Sequence, residues 1–210
     1  MRIIEPSYEI LTPIDKEILL SIEKIARVCY KSEGKIKEGS AERMMGMLVK
    51  NGHGAMIEFS DVIVKFVHNR GFSHEMIRHR HCSFAQESTR YCNYSTDKFS
   101  NEITVIKPYW SEYHASHTTN AYDIWEHAMK ISEEAYFNLE GLGLVAQDAR
   151  GVLPTDLKTE IVVKANIREW RHIFVLRTAP PAHPDMQRVM IPLLEEFKKR
   201  IPVLFDDIPC

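Results

Sequence analysis

The chain has 210 residues, a length that suits one domain with a sizeable hydrophobic core. Hydrophobic residues at 44% and charged residues at 27% exclude a disordered, collagen-like or low-complexity chain. The 27 Lys and Arg residues nearly balance the 29 Asp and Glu residues, so the net charge of −2 creates no general attraction for nucleic acid or for an anionic membrane. Neither is expected as a partner, and any anion-binding site has to be local.

The predicted elements of the first half are short strands and amphipathic helices. Met1–Leu11 mixes β-branched and polar residues as an edge strand does, and Thr12 followed by proline is typical of a helix cap. The elements predicted next are a helix from Pro13 to about Cys29, a helix Ala41–Lys50 capped by Ser40, a strand Asp61–Val67 and a short helix Ser73–Arg80. The polar segment Cys82–Asp97 has no helical period and predicts an extended, ordered loop.

The second half is predicted to be mainly helical. The pattern indicates a strand Ile103–Ile106, a helix from about Asn120 to Leu139, a helix Leu144–Arg150, a strand or helix from Asp156 that leads into a helix near Glu169, and a final helix His183–Arg200. Pro192 is expected to bend the last helix. With no internal repeat and no linker, residues 1–210 are predicted to form one α/β or α+β domain with more helix than strand.

Localisation and redox state follow from what the chain lacks. No apolar run approaches the roughly 20 residues that span a bilayer, and the start MRIIEPSYEI is unlike a secretory signal, so we expect a cytoplasmic protein. The four cysteines are far apart and form no C-x-x-C pair, which indicates reduced thiols and no structural zinc site; they are Cys29, Cys82, Cys92 and Cys210.

The segment from Arg78 to Tyr91 concentrates guanidinium, imidazole, amide and hydroxyl groups. Because the arginine fork matches phosphate or a planar imide, this excess indicates an anionic ligand. A second set of arginines follows at positions 150, 168, 171 and 177. Dinucleotide binding of the Rossmann type and P-loop chemistry are not expected, since neither glycine motif occurs. A basic helix end is commonly only a solvated terminus, so the tripeptide Arg78-His79-Arg80 alone does not identify an anion-binding site.

The longer pattern that continues from this tripeptide to Ser88 and Arg90 is more specific than the tripeptide alone. Arg78-His79-Arg80, seven residues and then Ser88, continued by Arg90-Tyr91, resembles the signature of the flavin-dependent thymidylate synthases, the ThyX family. The resemblance covers about residues 50 to 190, and further matches are Gly52-His53, Glu58, His74-Glu75, Arg150 with Leu153-Pro154, and Asn166-x-Arg168 with Leu176-Arg177.

This resemblance implies a central, mostly antiparallel sheet flanked by helices. It also implies reductive methylation of dUMP to dTMP, with methylenetetrahydrofolate as carbon donor, NADPH as reductant and a bound FAD that passes hydride to the substrate. Members of the family are homotetramers whose active sites are shared between subunits. The partners expected for this chain are therefore these small molecules and further copies of itself.

The resemblance also assigns roles to individual residues. It implies a dUMP site at Glu75, Met76, Ile77, Arg78, Gln86, Glu87, Ser88, Thr89, Arg90, Arg150 and Arg177. It implies an FAD site at His53, Arg78, His79, Arg80, Gln86, Asn166, Ile167, Arg168 and His172, and no metal. The catalytic residues would be Arg177, which favours the N3-ionised uracil, and Ser88, which positions the substrate without acting as a nucleophile.

Two residues depart from the family pattern. Many relatives have Asn-Glu where this chain has Ala85-Gln86, and some have Asn where it has His172. An amide at Gln86 lacks the charge of a carboxylate but still makes paired hydrogen bonds, so the contact made at this position stays open.

Two other functions are consistent with parts of the pattern. A nucleic-acid-binding module would use the RHRH segment and would stack bases on Phe84, Tyr91 and Tyr94, but the balanced charge disfavours it. A metal hydrolase would use His79, His81 and a third histidine, and it would lose activity on chelation.

Overall fold

A computed structural model describes residues 1–96, 100–111 and 119–209. The chain divides into two compact units, each built from three separate segments of the sequence. Unit 1 comprises Met1–Ser7, Phe66–Arg78 and Ala85–Ile161, and unit 2 comprises Tyr8–Lys65, His79–Phe84 and Val162–Cys210. Because the chain passes back and forth, neither unit is continuous in sequence. That residues 1–210 act as one domain stays a prediction.

Among the described residues, six strands form two sheets. The strands are β1 Arg2–Ile4, β2 Ser7–Ile10, β3 Asp61–Asn69, β4 Cys82–Gln86, β5 Thr104–Ile106 and β6 Lys158–Asn166. The larger sheet has the order β2-β3-β6-β4, and the smaller one pairs β1 with β5 in parallel. In the larger sheet β3 and β6 run antiparallel, since Ile167 N–H donates to Ser60 O at one end and Arg70 N–H to Thr155 O at the other. The predicted mostly antiparallel sheet with flanking helices is confirmed.

Eight α-helices are described: α1 Lys16–Val28, α2 Ser40–Lys50, α3 Arg70–Met76, α4 Thr119–Gly141, α5 Ala146–Ala149, α6 Ile167–Arg177, α7 Pro184–Arg200 and α8 Pro202–Phe205. Short 3-10 turns occupy Glu33–Lys35, Gly54–Phe59, Tyr109–Ser111 and Arg150–Val152. None of these helices is long and apolar enough to cross a membrane.

The core of unit 2 is an aromatic cluster between α6, α7 and α8. Phe174, Phe197 and Phe205 have ring centroids 5.1 to 5.8 Å apart, and Trp170 packs on Phe174 at 5.6 Å and on Phe197 at 5.7 Å. The Trp170 indole N–H donates to the Val62 carbonyl at 3.0 Å, which ties α6 to β3. One face of α6 is thereby fixed in the core.

The core of unit 1 forms around α4. Tyr136 is fully buried among apolar side chains from β5 and the neighbouring loops, including Ile103, Val105 and Leu157. The Trp125 indole N–H donates to Asp156 at 2.7 Å and joins α4 to the segment before β6.

Three predicted boundaries are wrong, each for a local reason. Helix α1 begins after Asp15, whose carboxylate accepts from Glu17 N–H at 2.9 Å, whereas the Thr12 hydroxyl accepts from Ile63 N–H. The predicted helix Ser73–Arg80 is α3, which Asn69 caps by accepting from Phe72 N–H at 2.8 Å and which ends at Met76. Residues 78–80 therefore lie beyond the helix and do not present two helical faces.

The third wrong boundary concerns the predicted loop Cys82–Asp97. Its first five residues are β4, in which half-buried and exposed side chains alternate as in a strand. Asp97 lies outside the described residues. The predicted edge strand Met1–Leu11 is two strands, and the segment from Asp156 resolves into β6 followed by α6. Cys29, Cys82 and Cys92 are free thiols, and Cys210 lies outside the described residues.

Candidate functional site

The amino end of α6 carries a polar face in unit 2. Strand β6 ends at Asn166, whose side chain accepts from Glu169 N–H at 2.8 Å and caps the helix. Arg168 and His172 are four residues apart and therefore project from one side of the helix, where both are exposed. Ile167 is fully buried and does not line the neighbouring cavity.

This polar face borders a cavity of about 410 Å³. Its lining residues are Glu58, His81, Asn166, Arg168, Glu169 and His172. The volume falls within the range of small-molecule pockets, which is about 300 to 1,000 Å³. Its lining combines carboxylates, a guanidinium, two imidazoles and one amide, so the cavity suits a polar, hydrogen-bonding ligand.

Two contacts hold Arg168 at the edge of this cavity. Its Nη1 lies 2.6 Å from a carboxylate oxygen of Glu58. Its Nε lies close to the backbone of Gly54, where an added Cβ would come within 2.9 Å of that nitrogen. A side chain at position 54 would therefore require Arg168 to shift.

A second cavity of about 800 Å³ also reaches Arg168. Apolar side chains from α1 and α2, such as Met44, Met47 and Leu48, line it together with His53 and Gly54. His53 is exposed at its edge. The two cavities share Arg168, which gives unit 2 room for a long ligand with both polar and apolar parts.

His79 is buried beside α6 and contacts three side chains of that helix. Arg177 Nε donates to His79 Nε2 at 3.0 Å, and a Glu169 oxygen lies 3.6 Å from His79 Nδ1. The His172 ring packs edge-on with a centroid distance of 5.9 Å. Burial, with the neighbouring Arg177 and His172, lowers the pKa of His79 to about 4. His79 is therefore neutral at pH 7 and acts as a hydrogen-bond acceptor for Arg177.

The same cluster has the spacing of a metal site. His79, Glu169 and His172 bring possible ligand atoms within 4.8 Å of one another. Metal-bound histidines, however, usually donate their second ring N–H to an acceptor, whereas His79 Nε2 receives a proton donor from Arg177. A divalent cation would also lie beside a permanent guanidinium charge. The geometry thus disfavours the metal hydrolase, and His81 lines the cavity without joining this cluster.

Cys82 adds no nucleophile to unit 2. Its burial, with a smaller effect of Glu169, raises the pKa of the thiol to about 12. The thiol stays protonated at neutral pH. Arg80, two residues earlier, is exposed at the surface of the unit.

Unit 1 contains the polar residues that follow the RHR motif. The Gln86 amide nitrogen donates to Ser73 Oγ at 2.9 Å and lies 3.2 Å from Thr159 Oγ1. These bonds hold the Gln86 side chain against α3 and β6. The amide thus has an internal structural role, which limits the bonds it has left for a ligand.

Glu87 belongs to a buried ionic group. Lys158 Nζ lies 3.0 Å from Glu87 and 2.8 Å from Glu160. Burial lowers the pKa of Lys158, but the hydrogen bonds that it donates to Glu160 and Glu87 outweigh this effect, and the pKa is raised. The other oxygen of Glu87 is buried with no hydrogen-bond partner among the described residues.

Ser88 and Thr89 lie in the turn after β4. Ser88 Oγ accepts from Arg90 N–H at 3.3 Å, and the Ser88 carbonyl accepts from Cys92 N–H at 2.9 Å. Arg150 Nη1 lies 3.4 Å from Thr89 Oγ1. The turn therefore combines two hydroxyls with two exposed guanidinium groups, at positions 90 and 150, which suits a phosphate.

The end of α3 supplies the remaining residues implied for dUMP. Glu75 is half-buried, and Ile77 and Arg78 are exposed. Met76 is fully buried, and its role at the dUMP site stays a prediction.

Sequence reasoning missed two residues. Glu169 contacts His79, and its spacing from Asn166 matches an Asn-x-x-Glu capping pattern that could have marked it. Arg70 has a buried Nη1 with no acceptor among the described residues, and no sequence signal distinguishes it from other arginines.

Comparison with known proteins decides the family. The model of the thymidylate synthase complementing protein family (Thy1) matches residues 14–203. The chain belongs to this family. A flavin-dependent thymidylate synthase of Geobacter sulfurreducens is 29% identical over 189 residues, which is 87% of this chain and 78% of the relative. One of Pyrococcus furiosus is 29% identical over 167 residues, covering 79% of this chain and 66% of the relative.

Solved structures with a similar fold are also known. The UMP/dUMP methylase PolB of Streptomyces cacaoi, solved with 5-Br dUMP, has a TM-score of 0.80 at 20% identity and covers 98% of this chain and 96% of its own. The resemblance drawn from Arg78-His79-Arg80 and Ser88 is thus confirmed at the level of family and fold.

Proposed function

We propose that the chain is an FAD-dependent thymidylate synthase. It converts dUMP to dTMP, with methylenetetrahydrofolate as the carbon donor and NADPH as the reductant. The observation that carries the proposal is the polar side of α6 in a member of the Thy1 family: Arg168 and His172 line a cavity near its capped start, and Arg177 at its last residue donates to His79. The names of the curated relatives favour the same reaction.

The residues of unit 2 fit FAD. The guanidinium of Arg168, the amide of Asn166, the imidazole of His172 and the amino end of α6 suit the phosphates and polar edges of a dinucleotide. The cavities of about 410 and 800 Å³ that share Arg168 suit its length. When bound, FAD supplies hydride transfer. The roles of His53, Arg78, Arg80, Gln86 and Ile167 in FAD binding remain predictions.

The turn after β4 suits the phosphate of dUMP. Arg90 and Arg150 offer permanent charge, and Ser88 and Thr89 offer hydroxyls. The remaining dUMP residues, Glu75, Ile77, Arg78, Gln86 and Glu87, keep their roles as predictions.

Arg177 has the chemistry to activate the uracil ring. Its charge stabilises an N3-ionised imide without exchanging a proton at physiological pH. The neutral imidazole of His79 accepts its Nε–H and so orients the guanidinium. No nucleophilic side chain is required for this activation.

We also propose that the protein is a homotetramer with shared active sites. Several large apolar side chains are more than half exposed, which favours contact with further copies. They are Tyr30 at 78%, Ile124 at 67%, Ile131 at 52%, Leu142 at 81% and Val145 at 56%. A cytoplasmic location stays a prediction.

One experiment tests the proposal. The purified chain is expected to be yellow with a flavin spectrum, to be bleached by NADPH, and to form dTMP from dUMP and methylenetetrahydrofolate. Light scattering on the same sample is expected to give four times the chain mass. Colourless protein that neither takes up FAD nor forms dTMP would contradict the proposed function.

Replacing Gly54 with alanine is expected to weaken FAD binding by about 10- to 100-fold, because the new methyl displaces Arg168 and one charge-assisted hydrogen bond is lost. Fluorescence titration of the apoprotein with FAD measures the dissociation constant. Gly141→Ala is the control, since nothing lies within 4 Å of the added Cβ there. Equal affinities in the two variants would show that Arg168 does not contact FAD.

Replacing Ser88 with alanine is expected to lower kcat/KM for dUMP by about 10- to 100-fold, the effect of one hydrogen bond to a charged group. Loss of a covalent nucleophile would instead cost about 10⁴-fold or more. Steady-state dTMP formation separates the two, with exposed Ser83→Ala as the matched control. Complete loss of turnover with normal dUMP and FAD binding would assign Ser88 a nucleophilic role.

A further inference from the structure

Glu169 is a buried carboxylate outside every predicted role. Only 8% of the residue is exposed, although its neighbours Arg168 and His172 lie at the surface. The capping bond of α6 uses its backbone N–H, which donates to Asn166, so the helix start does not depend on its carboxylate. The carboxylate faces His79 Nδ1 at 3.6 Å.

The hydrogen bond from Arg177 identifies the tautomer that His79 holds in the wild-type structure. Arg177 Nε always carries a proton, so the nitrogen that it faces at 3.0 Å, His79 Nε2, has to be unprotonated. A neutral imidazole then carries its proton on Nδ1, the nitrogen that faces the Glu169 carboxylate. In the opposite tautomer, the N–H of His79 Nε2 would point at the N–H of Arg177 Nε. The unprotonated Nδ1 would then lie beside the Glu169 carboxylate.

We propose that Glu169 is a positioning residue that acts on Arg177 through His79. Its carboxylate holds the proton of His79 on Nδ1, which keeps Nε2 as the acceptor that orients the guanidinium. The link to turnover rests on the proposed function, whereas the tautomer does not.

The test uses full-length protein labelled with ¹⁵N-histidine. The variants are Glu169→Gln, which keeps the side-chain shape, and Glu169→Leu, which removes all hydrogen bonding. Glu195→Gln on the exposed face of α7 is the control for charge. A His79→Asn variant assigns the His79 signals. Nitrogen NMR distinguishes protonated from unprotonated ring nitrogens, and stopped-flow measurements separate flavin reduction by NADPH from dTMP formation.

We expect unprotonated Nε2 and protonated Nδ1 in the wild type and in Glu195→Gln, and mixed tautomers in both Glu169 variants. The kcat of dTMP formation is expected to fall about 10- to 100-fold in the Glu169 variants, as for other carboxylates that orient a functional histidine, and to fall by more than the rate of flavin reduction. A proton on Nε2 in the wild type, or one tautomer in all variants, would overturn the proposal. So would altered tautomers with an unchanged kcat. A wild type that makes no dTMP but shows the expected tautomers would refute the proposed function and support the positioning by Glu169.

Discussion

The Arg177→Ala variant is expected to form dTMP about 10²- to 10³-fold more slowly than the wild type, because it removes a preorganised positive charge that stabilises the ionised uracil. The half-buried guanidinium is held by His79 at 3.0 Å, so its orientation is set before substrate binds. Arg177→Lys keeps the charge but loses the planar fork and the Nε–H that His79 accepts, and we expect it to recover only part of the rate.

Rapid-quench measurement of dTMP formation in a single turnover tests this prediction. Oxidation of NADPH in the absence of dUMP is expected to continue in Arg177→Ala, since that step does not involve uracil. Arg200→Ala is the matched control, because Arg200 is exposed and pairs with Glu196 on α7 at 2.7 Å. An Arg177→Ala enzyme with the wild-type single-turnover rate would remove Arg177 from catalysis.

The sequence predicted much of α6 and its surroundings because the relevant signals are local. A β-branched run, a capping asparagine and apolar residues at helical spacing all lie within residues 158–177. The residues Asn166, Arg168 and Arg177, implied by the family resemblance, lie on this one element. His79, which is far from them in sequence, packs against the same helix and gives the RHR motif a structural reason.

The parts that failed depend on contacts distant in sequence. Asn69 competes with Ser73 as the cap of α3, and nothing in the local pattern decides between them. Strand β4 looks like a loop because its pairing with β6, and not its own polar composition, makes it a strand. Glu169 was missed for the same reason, since its partner His79 is 90 positions earlier in the chain.

The near-zero net charge does not show how individual charged side chains are paired in the structure. In unit 2 Arg168 pairs with Glu58 at 2.6 Å, and Arg171 pairs with Asp207 at 2.6 Å. Counting charges treats the two arginines alike. Arg168, however, lines both cavities, while Arg171 joins α6 to the end of the chain. Only the structure shows that Arg168 lines the candidate site and that Arg171 stabilises the packing of α6.

Helix α6 packs into the core on one side and borders the two cavities on the other, and the effects of substitutions on the two sides are expected to be separable. Phe197 of α7 is fully buried and packs against Trp170 and Phe174 of α6 at ring distances of 5.7 and 5.1 Å. Phe197→Ala should cost about 3 to 5 kcal/mol of unfolding free energy, from lost burial and the cavity left behind. The melting temperature should fall on the order of 10 °C.

Thermal and urea unfolding of the purified apoprotein measure this loss, with Phe59→Ala as the matched control because 59% of Phe59 is exposed. The control is expected to change stability by no more than about 0.5 kcal/mol. Well below its transition, folded Phe197→Ala should bind FAD with wild-type affinity, because Phe197 lies on the core side of α6 and lines neither cavity. A variant as stable as the wild type would show that the aromatic cluster does not hold α6, and a large loss of FAD affinity in the folded variant would show that the two sides of the helix are coupled.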